Sequence, residues 1–182
     1  MALSRTAQNW PVRGPLATKG TSQQFDEANY GAEVTGPPSG AQIIKPNGGS
    51  ATKYLRWQEN ACTGMALEKG TKFLTGPFSG CCFFMALDGK KVIILHANDN
   101  QHRGDATATQ KEQKKLAEEY LKNFHRGAKL AYHVSYQTMG GKFGWIEGEK
   151  VDAKTWNIYY AITEENTGGN AARRLVGGAF IA

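Results

Sequence analysis

Cys81 and His96 are the pair of residues in this chain best suited to nucleophilic chemistry. A cysteine attacks as the thiolate, and a facing imidazolium would lower the pKa of the thiol. The reaction also needs hydrogen-bond donors for an oxyanion, which the backbone of a turn at Ser79 and Gly80 could supply. The second imidazole nitrogen needs an acceptor that orients the ring, and Thr75 is placed to provide it.

The cysteine and the histidine stand at the two ends of a predicted β-hairpin. Apolar runs at Cys81–Leu87 and Val92–Leu95 flank Asp88-Gly89, and Asp-Gly between hydrophobic runs is a strong signal for a two-residue turn. If those two residues are the whole loop, Cys81 and His96 lie directly opposite each other, with Cβ atoms roughly 4.5–5.5 Å apart. A bulge or a slip in register would send the imidazole to the other face or out of reach.

Of the other two cysteines, Cys82 is predicted to be a core residue and Cys62 to be structural or idle. Side chains alternate along a strand, so Cys82 points away from the face of Cys81 and packs as a core residue opposite Leu95. Cys62 stands outside the hairpin and has no partner by spacing. An odd, low cysteine count argues against a disulfide framework, and the chain has no Cys-x-x-Cys or His/Cys cluster that indicates a metal site.

A few polar residues remain as secondary candidates. His102 and His133 are the alternative bases if the predicted register is wrong. Asn98 and Asp99 follow the histidine strand and could line the mouth of a pocket, although the polarity of a loop also explains them. The tryptophans are predicted to be core or rim residues and not a binding box.

Composition indicates one globular domain and no obvious nucleic-acid site. The chain has 182 residues, of which 40% are hydrophobic and 21% charged, enough for a single substantial core. Its formal net charge is +6, but the basic residues come as scattered pairs without interleaved aromatic residues. A nucleic-acid-binding surface requires clustered basic residues. The scattered pairs in this chain therefore indicate basic residues dispersed over a solvated surface.

The sequence gives no sign of a membrane span or of a Sec-type signal peptide. No apolar run approaches the ~20 residues that a transmembrane helix needs, and the first twenty residues have no apolar core. Those residues lack Asp and Glu and are rich in Ser, Thr and Ala. This composition suits a bacterial secretion leader read by a dedicated machine, and a frayed terminus explains it equally well.

Periodicity predicts an α+β fold, with a β-sandwich-like mixed sheet core, a central hairpin and one main amphipathic helix. The helix covers Thr109 to His125, with a capping box from Thr109 to Glu112 and a stop at Gly127. Residues 1–40 are predicted to be a loosely structured segment, with loops and a short helix near 22–29, and residues 41–182 a single catalytic domain. Residues 59–69 are predicted to be a helix or loop. Strands are predicted at Ala41–Lys45, Tyr54–Trp57, Lys129–Tyr136, Lys142–Glu147, Thr155–Ile162 and Arg174–Ile181.

The stretch from Thr75 to His96 resembles a family of bacterial toxins and enzymes. Thr75-Gly-Pro-Phe-Ser-Gly-Cys81, followed by His96, is similar to the motif of the bacterial protein-glutamine deamidases. This group includes the catalytic domain of cytotoxic necrotizing factor, the Burkholderia lethal factor and the chemoreceptor deamidase. The family motif is Leu-Ser-Gly-Cys with a His on the next strand, and Phe78 replaces its Leu here. The resemblance covers roughly residues 73–98.

The resemblance implies a protein-glutamine deamidase that works without a cofactor. Carried over, Cys81 is the nucleophile, His96 the general base and acid, and Thr75 the third member that fixes the histidine. The substrate would be a glutamine of a target protein, as with the host regulatory proteins on which the known toxins act. The protein would then be a virulence effector secreted from a bacterium, acting in the cytosol of a target cell.

Two other classes of function stay open. Another thiol acyl-transfer enzyme, a transglutaminase or a cysteine protease, would use the same cysteine and histidine. A non-catalytic β-rich module would bind an anionic partner through its basic surface. Selective alkylation of Cys81 separates the enzymes from the binding module, and ammonia release without peptide-bond cleavage separates the deamidase from a protease.

Overall fold

The computed structural model describes residues 4–7, 23–25, 32–35, 41–46, 50–67, 72–78, 80–89, 91–135, 144–151, 155–162 and 173–180. Within these residues one α-helix and thirteen strands form, in agreement with the predicted α+β class. The strands are β1 Ser4–Ala7, β2 Gln23–Phe25, β3 Ala32–Thr35, β4 Ala41–Pro46, β5 Thr52–Leu55, β6 Cys62–Leu67, β7 Lys72–Phe78, β8 Cys82–Asp88, β9 Lys91–Ala97, β10 Lys129–Ser135, β11 Gly144–Lys150, β12 Thr155–Ile162 and β13 Arg173–Phe180. The helix α1 is Ala106–Phe124.

Two five-stranded sheets form the body of the protein. The hairpin sheet has the order β10-β8-β9-β6-β2, and the opposing sheet has the order β13-β12-β11-β7-β5. Each sheet is antiparallel except for one parallel pair at its edge, β2 with β6 and β5 with β7. A third, three-stranded sheet has the order β1-β4-β3 and joins Ala41–Pro46 to strands from the first forty residues.

The hairpin strands β8 and β9 are buried on both faces, which places their sheet in the middle of three layers. Its inner face packs on the opposing sheet through a core that includes Phe83, Ile94 and Trp156. Its outer face packs on α1 through a second cluster that includes Cys82, Leu95 and Tyr120. The prediction that Cys82 is a core residue is therefore confirmed, and the predicted sandwich has a helix on one side.

The hairpin forms with a different register from the predicted one. The last pair of its ladder is Asp88 with Lys91, so that the connection is Gly89-Lys90 and not Asp88-Gly89. Gly89 has φ +60°, the left-handed conformation that such a turn requires and that glycine adopts without strain. The pairing moves by one residue on each strand, so His96 lies opposite Phe83 and not opposite Cys81. The two moves together conserve the alternation of faces, and the cysteine and histidine positions stay on the inner face.

The helix differs from its prediction at both ends. It begins at Ala106, because the carboxylate of Asp105 accepts hydrogen bonds from the backbone N–H groups of Thr107 and Ala108. The predicted capping box at Thr109 is therefore wrong, and the hydroxyl of Thr109 instead donates to the carbonyl of His102. The helix ends at Phe124, one residue before the predicted end at His125.

Two segments predicted as helix or loop contain strands. Cys62–Leu67 is β6, buried because it pairs with both β9 and β2. The predicted short helix near 22–29 is wrong at Gln23–Phe25, which form β2, and the other residues of that segment lie outside the described ones. In both cases strand pairing supplies the backbone hydrogen bonds, a long-range contact that local periodicity does not report. The other predicted strands are confirmed, and those predicted ends that fall on described residues differ from the observed ends by up to three residues.

No helix in the described part of the chain is long and apolar enough to cross a membrane.

Candidate active site

Thr75 and His96 come from different sheets and meet across the inner core. Thr75 lies on β7, and its Oγ1 is 2.8 Å from the Nδ1 of His96 on β9. The same hydroxyl donates its only proton to the carbonyl of Leu55, at 2.8 Å. The hydroxyl oxygen must therefore accept the proton of Nδ1–H, which leaves a lone pair on Nε2. This tautomer is the one in which His96 can act as a base through Nε2.

His96 is fully buried and is held as a neutral imidazole. Phe78 stacks on the ring, with centroids 4.1 Å apart and an interplanar angle of 4°. Burial lowers the pKa of His96 to about 3 because charge is costly away from water. The prediction of a charged imidazolium facing the cysteine is therefore wrong for the free protein. The Nε2 atom is buried and has no hydrogen-bond partner among the described residues.

Cys81 lies directly before β8, on the inner face, and is only 3% exposed. The final pair of the ladder is Cys82 with Ala97, so extending the register by one pair places Asn98 opposite Cys81. The side-chain amide of Asn98 donates to the sulfur of Cys81, with Nδ2 and Sγ 3.1 Å apart. The sequence predicts Asn98 at a pocket mouth, and the structure places its buried side chain against the candidate nucleophile.

A small network of backbone and amide groups holds Asn98 in place. The side-chain Oδ1 of Asn98 accepts a hydrogen bond from the backbone N–H of Asn60 at 2.9 Å, and the backbone N–H of Asn98 donates to the carbonyl of Ala61 at 3.0 Å. Asn60 has φ +50°, and its Oδ1 accepts from the backbone N–H of Asn100 at 2.7 Å. These contacts connect the segment before β6 to the segment after β9.

The turn before the cysteine is held from the helix. Ser79 lies outside the described residues, so its predicted role stays a prediction. Gly80 has φ +118°, a conformation that favours glycine, and its carbonyl accepts a hydrogen bond from the side-chain amide of Gln113 on α1. In a trans peptide the N–H points away from the carbonyl, so this contact also sets the direction of the Cys81 N–H.

Gln113 is a site residue that sequence reasoning missed. The structure buries it to 1% exposure on the helix face that also carries Thr109, Leu116 and Tyr120. A polar residue inside an apolar helical stripe needs a buried partner, and this pattern is the signal that could have identified it.

The remaining candidates lie elsewhere. His133 is exposed on β10 and its ring lies 6.0 Å from that of Phe84, which belongs to the helix-facing cluster. His102 pairs with the buried carboxylate of Asp99 at 2.8 Å. Neither histidine is held toward the sulfur of Cys81 by these contacts, so the structure gives no support to them as alternative bases.

Cys62 and Cys82 share the apolar cluster under the helix. Burial, and secondarily the proximity of Cys82, raises the pKa of Cys62 well above its ordinary value. Burial, and secondarily the proximity of Cys81, raises the pKa of Cys82 in the same direction. Both thiols are therefore poor nucleophiles at neutral pH.

The described residues contain no group of three or more His, Cys, Asp or Glu side chains that could hold a metal ion. No protein-family profile matches the chain, and no curated protein is significantly similar to it.

Proposed function

We propose that this protein is a protein-glutamine deamidase that uses Cys81, His96 and Thr75. The observation that carries the proposal is the hydrogen bond between Thr75 and His96, which joins two motif residues from different sheets and leaves Nε2 as the basic nitrogen. Cys81 occupies the same face of the hairpin sheet, in contact with an amide donor. Nucleophile, base and orienting group are the parts that acyl transfer by cysteine requires.

The first half of the proposed reaction forms a thioester. The thiol proton of Cys81 moves to Nε2 of His96 as the sulfur attacks the carbon of a glutamine carboxamide, and the carbonyl electrons move to the oxygen. The tetrahedral intermediate collapses, the carbon–nitrogen bond breaks, and the leaving nitrogen takes the proton from Nε2 and departs as ammonia. The thiolate and the imidazolium form together, so their attraction offsets the cost of charging a buried histidine.

The second half hydrolyses the thioester. Water gives a proton to Nε2 and attacks the thioester carbon, the carbon–sulfur bond breaks, and the sulfur regains its proton. The product is a glutamate in the target protein, so a neutral hydrogen-bonding side chain becomes an anion. Protein groups and water are the only reactants, and no cofactor enters the proposed scheme.

The biological setting is proposed from the resemblance of residues 73–98 to the deamidase family. We infer that the protein is a secreted bacterial effector whose substrate is a regulatory protein in the cytosol of a target cell. A single charge change at one glutamine is enough to alter a binding or catalytic surface in such a protein.

A proteome-wide experiment tests the reaction and finds the target together. The purified protein is incubated with a eukaryotic cell lysate in heavy-oxygen water, and the digested proteins are mapped by mass spectrometry. The expected result is a glutamine-to-glutamate change carrying heavy oxygen at one or a few sites, with release of ammonia. Cys81→Ser should lower the rate by at least about a thousandfold.

Cys82→Ser is the matched control, since it removes the neighbouring thiol from the other face of the same strand. Each folded molecule of the Cys82→Ser variant should have the wild-type rate of deamidation. Peptide-bond cleavage in place of deamidation, or full activity in Cys81→Ser, would overturn the proposed function.

A further inference from the structure

The side-chain amide of Asn98 has its orientation fixed by two contacts. Its oxygen accepts the backbone N–H of Asn60 at 2.9 Å, and its nitrogen lies 3.1 Å from the sulfur of Cys81. A backbone N–H can only donate, so the amide oxygen must face Asn60 and the amide N–H must face the sulfur. Asn98 is 4% exposed, and this buried donor points at the atom that attacks in the proposed reaction.

We propose that Asn98 is a catalytic residue whose side-chain N–H stabilises negative charge on the sulfur of Cys81. The inference rests on the proposed function, because it assigns a role in the same reaction. A hydrogen bond to an ionised acceptor is roughly twice as strong as one between neutral groups, so the contact favours the thiolate over the thiol. An amide donor does this at every pH, because it carries no proton that titrates.

The need for such a donor follows from the burial of the base. His96 is neutral in the free protein, so it brings no positive charge to the sulfur until it has taken the proton. Asn98 therefore supplies stabilisation at the start of proton transfer, and the imidazolium adds to it as transfer proceeds. A donor held by a rigid network costs no reorganisation at that moment.

The rigid network has its own origin in the fold. The backbone of Asn60 is in the left-handed region, which asparagine tolerates better than most residues. In this conformation its N–H is directed at the side chain of Asn98. The backbone N–H of Asn100 secures Asn60 from the other side. The side chain of Asn60 and the backbone N–H of Asn100 thus link the two segments that flank the β6–β9 pair and hold the amide against the sulfur, whereas the side chain of Asn100 contacts Glu59 at the surface.

Among the described titratable groups, His96, Cys82 and Asp99 are considered in the design of a test at Cys81. His96 lies on the same face, and Cys82 is adjacent in the chain and is electrostatically coupled to Cys81. The carboxylate of Asp99 follows Asn98 and is occupied by the imidazole of His102 and by the backbone N–H of Gln101. The test therefore uses a Cys82→Ser background, which leaves one thiol on the strand.

Asn98→Asp separates the proposed role from a structural one. An aspartate keeps the oxygen that accepts the Asn60 N–H, but it replaces the donor that faces the sulfur with a second anionic oxygen. The readout is the rate of Cys81 alkylation by iodoacetamide as a function of pH, followed by mass spectrometry of the tryptic fragment. The midpoint of this profile should rise by at least about one pH unit in Asn98→Asp. Deamidation should fall by about a hundredfold.

Asn98→Ala and Asn100→Ala complete the design. Asn98→Ala removes the donor without adding charge, and it should move the alkylation midpoint in the same direction by a smaller amount. Asn100→Ala removes an amide whose nitrogen contacts Glu59 at the surface, and it should leave the midpoint unchanged. An unchanged midpoint in both folded Asn98 variants would overturn the inference. Alkylation of Cys81 needs no protein substrate. A wild-type protein without deamidase activity would therefore refute the proposed function, while the alkylation profiles would still test the role of Asn98.

Discussion

The two faces of the β8–β9 hairpin place neighbouring cysteines in opposite chemical settings. Cys81 and Cys82 are almost equally buried, at 3% and 2% exposure. The sulfur of Cys81 accepts a hydrogen bond from Asn98 and shares its face with His96, whereas Cys82 packs among apolar side chains beneath the helix. Burial therefore does not distinguish a candidate nucleophile from a core residue. The polar partners that the surrounding elements bring to each face make the difference.

The comparison also shows how the protein accommodates polar groups in its interior. On the inner face, Thr75 links His96 to the backbone of Leu55. On the outer face Gly64 of β6 lets the ring of Tyr120 approach the strand, within a cluster of apolar side chains and two cysteines. The inner face combines an apolar core with buried hydrogen bonds, whereas the outer face depends on close packing beneath α1, so substitutions on the two faces should fail in different ways.

Among the contrasts between the two faces, the largest expected effect is on the acid stability that depends on His96. The unfolded histidine binds a proton as the pH falls below 6.5, while the folded one does not until about pH 3. The unfolded state therefore binds more protons in this window, and the free energy of unfolding falls as the pH is lowered, by about 1.4 kcal/mol for each pH unit. Above pH 6.5 the contribution of this group is constant. Between pH 6.5 and pH 4 the wild type should lose about 3 kcal/mol more than His96→Gln.

Urea unfolding at a series of pH values measures this difference. His133→Gln removes an imidazole from an exposed position and should follow the wild-type curve. Parallel curves for wild type and His96→Gln from pH 7 to pH 4 would contradict the assignment of His96 as a buried neutral group.

A smaller effect is expected at Thr75, on the inner face. Thr75→Val keeps the shape of the side chain but removes the oxygen that accepts the Nδ1 proton, so the ring loses its preferred tautomer and orientation. Deamidation should fall by about ten- to a hundredfold, which corresponds to about 1.4–2.8 kcal/mol of transition-state stabilisation. Thr75→Ser retains the hydroxyl and should restore most of the rate. Wild-type kinetics in the valine variant would show that the hydrogen bond has no catalytic role.

The smallest effect on activity is expected for a substitution on the outer face, at Gly64. The same substitution should clearly lower the stability of the protein. A Cβ atom added at Gly64 would lie 2.3 Å from the ring of Tyr120, so Gly64→Ala must shift this buried ring from its place beneath α1. The free energy of unfolding should fall by about 1–3 kcal/mol, while the activity of each folded molecule changes little. At Gly127 an added Cβ meets only a carboxylate oxygen of Asp88 at 3.5 Å, so Gly127→Ala is the control. Equal stability of the two variants would contradict the packing argument.

Local sequence patterns predicted much of the fold, and the errors have a common cause. The Asp-Gly signal located the hairpin but missed its register by one residue on each strand, because Gly89 takes the first position of the turn and not the second. The helix was found from its periodicity, while its start depended on Asp105, whose capping contacts lie outside the periodic segment. Strand β6 was missed because its pairs with β2 and β9 come from distant parts of the chain.

The sequence by itself determined that Cys81 and His96 share one face of the hairpin and that Cys82 takes the other. This follows from the two-residue period of a strand, which survives the change in register because both strands move together. Only the tertiary structure decided which groups meet them. Thr75 arrives from the opposing sheet, Asn98 is turned by the backbone of Asn60, and Gln113 reaches the turn from the helix. These contacts depend on how the layers stack, and no local period in the chain encodes that arrangement.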